Sequence, residues 1–176
     1  MKDPGTPLPE FAILDTSLLL ELSLQSQSAA VSFLNRLASA ALGGNALLLV
    51  PLLVIEECYF KLIQIQYENA GYRNWHYDGY KPHPHLISRY WPTLNAFEQA
   101  VLNLPAVITG PDDLIVTSLS AIAPLHQQML QNIQSFWLLP KDAYIVAEAQ
   151  RLGVTDLATL DSDWDRLDGF TVYRPL

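Results

Sequence analysis

Phe11-Ala-Ile-Leu-Asp-Thr-Ser17 runs apolar residues straight into an acid and two hydroxyl side chains. A short apolar run of this kind reads as a buried strand whose exit turn, at Asp15, Thr16 and Ser17, carries an acid and possible helix caps. An aspartate there is costly unless it is hydrogen-bonded, paired or on a cation. Outward from this point, Leu18 to Leu24 and Ala29 to Leu42 carry helix-spaced apolar positions, with Ser28 the expected N-cap and Gly43-Gly44-Asn45 the stop. Ala46-Leu-Leu-Leu-Val50 is a second buried strand. Pro51 suits the first turn of the next helix, about Leu52 to Tyr67, which carries Glu56 and Glu57.

Helix returns over Thr93 to Leu104, followed by a strand at Ala106 to Thr109 and a turn at Gly110-Pro111-Asp112-Asp113. Leu114 to Ala123 and Leu125 to Phe136 are helical in pattern, with a break expected at Pro124. Pro140-Lys141-Asp142 opens a helix through Ala143 to Leu152, which Gly153 ends. Val154 to Leu160 reads as a strand ending at Asp161, Asp163 to Leu167 as a helical turn, and Phe170 to Tyr173 as the last strand. Apolar strands alternating with helices predict a three-layer α/β/α fold with a central, mostly parallel sheet of about five strands. Right-handed crossovers put the carboxyl ends of such strands on one edge, where ligands bind. Asp15 and Asp161 both fall there.

The 176 residues suit a single domain spanning 1–176, and 50% hydrophobic with 16% charged residues marks a globular chain. Ala46 to Ile55, the longest apolar run, contains Pro51 and is about half the ~20 residues of a membrane span. Met1 to Glu10 has acids and prolines where a signal peptide has an apolar stretch, so a soluble cytoplasmic protein is expected, with no membrane partner. Cys58 is the only cysteine, which excludes an internal disulfide and a cysteine zinc cluster, and it reads as a small core residue. A net charge of −8 argues against holding nucleic acid on a broadly basic surface. It leaves room for a nuclease, whose metal-site carboxylates add to the acidic balance.

Asn69 to Pro92 differs in character. It holds Tyr72, Trp75, Tyr77, Tyr80, Tyr90 and Trp91 among glycines, prolines and histidines, and reads as an aromatic-rich insertion, since structureless loops beyond ~12–15 residues are uncommon.

Four acids stand out by position: Asp15, Glu57, Asp142 and Asp161, with Asp163 two residues further on. Carboxylates without matching cysteines or histidines suit a hard cation, Mg2+ or Mn2+. Such a centre can hydrolyse a phosphodiester by polarising the phosphate and activating water. Thr16 and Thr159 flank the acids as auxiliary hydrogen-bonding groups.

Ile13-Leu-Asp-Thr-Ser17, Val50-Pro-Leu-Leu-Val-Ile-Glu-Glu57, Lys141-Asp-Ala-Tyr-Ile-Val-Ala-Glu-Ala149 and Leu157-Ala-Thr-Leu-Asp-Ser-Asp-Trp164 resemble the successive motifs of PIN domains. The resemblance spans nearly the whole chain, Asn69 to Pro92 excepted. It implies that Asp15, Glu57, Asp142 and Asp161 are the catalytic acids, that Asp15, Asp142 and Asp161 hold the metal, and that Asp163 is auxiliary. Glu57 is preferred to Glu56 because PIN domains place this acid a little under two helical turns past the strand-ending Pro or Ser. The implied activity is metal-dependent cleavage of RNA. Small bacterial members similar to the VapC type are toxins, which implies an antitoxin partner and a homodimer.

Each acid also has a bland reading. Asp15 and Asp142 sit where aspartates cap helices, and Asp161, Asp163 and Asp165 could form a solvated turn. His83-x-His85 lacks a nearby third ligand and reads as a surface pair. Arg73, Trp75, Tyr77 and Lys81 are candidate substrate contacts, since aromatic rings and scattered cations hold single-stranded RNA. The alternative is that these rings pack on helices or on a partner chain. A haloacid dehalogenase-type phosphatase needs a second aspartate where Ser17 stands. A catalytically silent RNA- or protein-binding module remains the competing reading, although it has no use for mutually repelling carboxylates.

Overall fold

The computed structural model describes residues 8–110 and 119–175, and the side chains of all of these except 119–123. The expected turn after Gly110 and the start of the helix at Leu114 lie outside the described residues.

β1 (Phe11–Leu14) leads into two short helices, α1 (Thr16–Leu19) and α2 (Glu21–Leu24), then α3 (Ser28–Leu42). β2 (Leu47–Pro51) and α4 (Leu52–Asn69) follow, then a π-helical turn at Trp75–Tyr80, a 3-10 turn at Pro84–Leu86 and α5 (Ile87–Leu102). β3 (Ala106–Thr109), α6 (Leu119–Phe136), α7 (Pro140–Leu152), β4 (Asp156–Ala158), a 3-10 turn at Ser162–Arg166 and β5 (Thr171–Tyr173) complete the order. All five strands are parallel, in the order β3-β2-β1-β4-β5. This is the α/β/α arrangement expected from the sequence.

The strand order positions the site. The chain steps outward from β1 through β2 to β3, then returns to lay β4 on the other side of β1. Right-handed crossovers in opposite directions put α4 and α5 on one face and α6 and α7 on the other. The reversal opens a crevice at the carboxyl ends of β1 and β4, the position where open α/β sheets bind ligands. Ala12, Ile13 and Leu14 are fully buried because β1 is central and covered on both faces, and Ile13 pairs with both Leu49 and Leu157. Cys58 is buried in the same core, as expected.

Several boundaries differ for identifiable reasons. Ser28 is the first residue of α3 rather than its cap. Gln27 holds the cap position without a side-chain cap bond, and buried Glu21 fixes the turn before it, accepting from Gln27 N at 2.9 Å and Ser26 Oγ at 2.6 Å. Pro51 closes β2 instead of starting α4. β4 is shorter than Val154 to Leu160 because the N–H groups of Leu160 and Asp161 turn to side chains, Ser17 Oγ and Thr159 Oγ1, both at 2.9 Å. α6 runs through Pro124 without a break, packed along α7, where buried Asn132 donates to Ala143 O at 3.2 Å and Gln150 Oε1 at 3.0 Å. One lost N–H is tolerated where packing holds the helix.

The aromatic stretch is not a structureless loop. α4 extends through Asn69, and α5 begins at Ile87 and carries Pro92 within it. The helical turns between pack around fully buried Tyr67, whose ring lies 5.1–6.4 Å from those of Tyr72, Trp75, Tyr80 and Tyr90. Its hydroxyl donates to His83 O at 2.9 Å.

Candidate active site

Asp15 follows β1 directly, and its N–H still bonds Ala158 O on β4 at 3.0 Å. It caps α1 as expected, yet capping is a small part of its surroundings. Its Oδ2 accepts from Ser17 Oγ at 2.7 Å, Thr159 Oγ1 at 2.7 Å and Ser17 N at 3.3 Å, and none of these contacts uses Oδ1. The two hydroxyl oxygens lie 3.1 Å apart. Each hydroxyl has one proton, so when both donate to the carboxylate neither bonds the other. Each in turn accepts a backbone N–H from the β4 exit, so the peptide dipoles of Leu160 and Asp161 are passed on to Asp15. Burial, at 5% exposure, still outweighs these donors and raises the Asp15 pKa.

Glu57, half-buried on α4, accepts from Thr16 Oγ1 at 2.9 Å and lies 3.3 Å from Lys141 Nζ. Thr16 therefore holds the glutamate next to the Asp15 turn. Glu56 points away, exposed and lining a separate cleft with Leu53, Tyr144 and Glu148. Of the two adjacent acids, Glu57 is the one beside Asp15.

Asp142 is the third residue of α7, whose cap is Leu139, so it is not the capping residue. Its carboxyl is pushed up to about 6, first by burial and then by the charges of Asp15, Glu57, Asp161 and Asp163. Acids from four separate parts of the chain therefore lie within electrostatic reach of one another. Asp161 is exposed and caps the last 3-10 turn, its Oδ1 accepting from Asp163 N at 2.8 Å. Trp164, almost fully buried, pins this turn to the core and leaves Asp161, Asp163 and Asp165 facing outward. Asp163 also meets Arg166 at 3.2 Å.

Among the described residues no three metal-binding side chains are gathered into a ready-made cage. The donor chemistry nevertheless fits a hard cation of the Mg2+ class. Every acid offers oxygen, the Ser17 and Thr159 bonds to Asp15 fall on Oδ2, and such ions keep several waters beside one or two carboxylates. A cation would also relieve the repulsion that raises Asp142.

Three neighbours were given no site role by the sequence, although Ser17 and Lys141 lie within its motifs. Ser17 stitches β1 to β4, Lys141 neutralises Glu57, and Arg174 clamps the acidic turn. Arg174 Nη1 lies 2.7 and 2.8 Å from the two Asp165 oxygens, and its Nη2 donates to Asp161 O. Their types are ordinary surface types, so only proximity reveals them. Of the expected substrate contacts, Trp75 lines a cavity, whereas Arg73 is exposed and Tyr77 and Lys81 pair with each other, the Lys81 ammonium 4.2 Å from the ring centroid.

A parallel sheet with a carboxylate cluster at its switch point defines a class: an α/β protein with an acid-lined crevice fed by both halves of the sheet. The family model described as the PIN domain matches residues 12–170, and the chain belongs to that family. The fold is similar to that of VapBC2 from Rickettsia felis, crystallised with a promoter DNA fragment, with TM-score 0.54 and 11% identity over 94% of this chain and 99% of that one. It is also similar to PAE2754 from Pyrobaculum aerophilum, with TM-score 0.50 and 15% identity over 92% and 89% of the two chains. No match was found among curated proteins. Among the described residues, no helix is long and apolar enough to cross a membrane.

Proposed function

We propose that this protein is a Mg2+- or Mn2+-dependent endoribonuclease, the toxin of a toxin–antitoxin pair, with Asp15, Asp142 and Asp161 as metal ligands. The observation that carries the reading is the convergence of acids from distant segments: Thr16 ties Glu57 to the Asp15 turn at 2.9 Å, Thr159 ties Asp15 to the β4 exit at 2.7 Å, and Asp142 is raised first by burial and then by four other acids. A fold has no structural use for such crowding, and the acids come from distant segments of a PIN domain. A divalent cation, when bound, supplies Lewis acidity toward the phosphate.

The chain's own residues do the rest. Ser17 and Thr159 fix the orientation of Asp15 through Oδ2. Glu57, outside the ligand set and held by Thr16 and Lys141, orients the attacking water. Asp163, on its short turn, serves as an auxiliary acid beside Asp161. An antitoxin peptide and a second copy of the chain are the partners this reading implies.

The test is cleavage of a mixed structured RNA by purified protein in Mg2+, in Mn2+ and in EDTA, beside Asp142→Asn. Metal-dependent cutting that disappears in the variant is the expected result. Equal cutting by both proteins, or cutting in EDTA, would overturn the assignment.

A further inference from the structure

One helical turn beyond Glu57 on α4, Phe60 begins a cavity of about 400 Å3, lined by Phe60, Ile63, Trp75, His76, Tyr80 and Ile87. One side chain, Lys141, lies near both the acid site and the Phe60 wall of the cavity. Lys141 Nζ lies 3.3 Å from Glu57 Oε1 and 5.4 Å from the Phe60 ring centroid. The walls are built rather than collapsed. Phe60 and Trp75 meet edge to face at 5.2 Å, and His76 and Tyr80 lie within 12° of parallel at 5.9 Å. Beneath them, buried Tyr67 contacts both Trp75 and Tyr80, and the turn that carries the rings approaches so closely that a Cβ at Gly79 would sit 2.6 Å from Tyr67 Cδ1.

Size and chemistry select the occupant. The volume falls within the ~300–1,000 Å3 of small-ligand sites. Four of the six lining side chains are rings, partly exposed, with an imidazole and a phenol as polar handles. An aliphatic partner side chain needs no such faces, whereas a flat heterocycle stacks on them. Lys141 stands between the cavity and the carboxylates, where the phosphate attached to a stacked base would pass. A net charge of −8 also argues against holding RNA on a broadly basic face, which leaves affinity to local contacts.

We infer that this cavity is a nucleobase site for single-stranded RNA, seating one base beside the phosphate to be cut. The position relative to the cut rests on the nuclease reading; the base site itself does not, because binding can be read without cleavage. The test uses fluorescein-labelled RNA octamers in EDTA, intact or made abasic at one position at a time, with affinity followed by anisotropy. Trp75→Leu keeps apolar bulk and removes the ring face, and is expected to weaken binding of the intact octamer about 5- to 150-fold, the loss of one stacked base. At one abasic position the same variant should change affinity by less than about two-fold, because the base it would have held is already gone.

Phe60→Leu, at a ring 47% exposed and therefore safe for folding, repeats the test if Trp75→Leu melts early. Octamer affinity indifferent to both variants, or variant and abasic losses that simply add at every position, overturns the inference and leaves the cavity to a protein partner. Ring-dependent binding without metal-dependent cleavage keeps the base site and rejects the nuclease. Metal-dependent cleavage with ring-independent binding does the reverse.

Discussion

At the scale of single residues, Asp15 is a buried carboxylate held by donors from both β1 and β4 exits. A buried carboxylate with two hydroxyl donors on one oxygen is stabilised in place, and loss of either donor leaves part of that charge unsolvated. Thr159→Val removes one donor at nearly constant shape and should cost about 1–3 kcal/mol, read as a lowered urea midpoint at pH 7. An unchanged midpoint would mean that Asp15 does not carry its charge in the folded protein. Asp142 gives a pH signature. Its folded-state value of about 6 lies above the ordinary 3.8, so the folded protein holds that proton more tightly than the unfolded chain does. This contribution to stability is complete below pH 3.8 and is lost as pH rises through about 6. Metal-free wild type and Asp142→Asn should therefore melt alike near pH 3.5, with the variant increasingly the more stable toward pH 7. A melting difference that stays flat over that range would show that the carboxylates do not crowd. Asp15, Asp142 and Asp161 stood out in the sequence because each follows a recognisable strand or opens a helix, and Glu57 stood out only through the resemblance to PIN domains. Ser17, Lys141 and Arg174 did not, since their meaning lies in contacts across the fold; Ser17 meets Leu160 from 143 positions away.

At the scale of elements, the acidic turn Ser162–Arg166 and the aromatic stretch after α4 are each anchored by a buried ring. Buried Trp164 anchors the turn from below and Arg174, just past β5, clamps it from the rim. Arg174→Ala should leave the sheet intact while amides 161–167 exchange with solvent at least about 10-fold faster, because the clamp is the rim contact holding Asp161 O. Unchanged exchange would assign the turn's order to Trp164 alone. The insertion depends on Tyr67 in the same way. Its aromatic content was plain in the sequence, but Tyr67 read only as the end of a helix, so the stretch resembled a loop without an anchor. Gly79 is required by close approach rather than by φ, since any Cβ meets the Tyr67 ring. Gly79→Ala should destabilise the protein by about 1–3 kcal/mol through overpacking, visible as an early loss of near-UV aromatic signal before the helical signal melts. A single coincident transition, unshifted from wild type, would show that the turn moves aside freely.

At the scale of the whole molecule, strand order explains why residues so far apart share one crevice. Alternating strands and helices predicted a parallel sheet, but not that β4 returns beside β1, and it is that return which brings Thr159 to Asp15 across 144 positions. On the nuclease reading, a molecule with a net charge of −8 has to hold a polyanion. Long-range electrostatics therefore oppose the encounter, and attraction is left to the cation, to Arg73 and Lys81 in the aromatic stretch and to Lys141, which is already paired with Glu57. The number of phosphates neutralised by side chains is then small, about two. For a single strand the slope of log affinity against log salt is roughly −0.7 per phosphate, which predicts a slope near −1.4 for octamer binding in EDTA between about 50 and 300 mM KCl. Affinity, and cleavage with it, should fall with salt but only gently. A slope of about −4 or steeper would require a basic track of six or so phosphate contacts. A second copy of this chain would not supply that track, because dimerisation doubles the negative charge along with the positive. A steep slope would therefore point to a partner that brings its own cations to the complex, and a shallow one leaves the base-stacking cavity and the metal site as the means by which an acidic protein grips RNA.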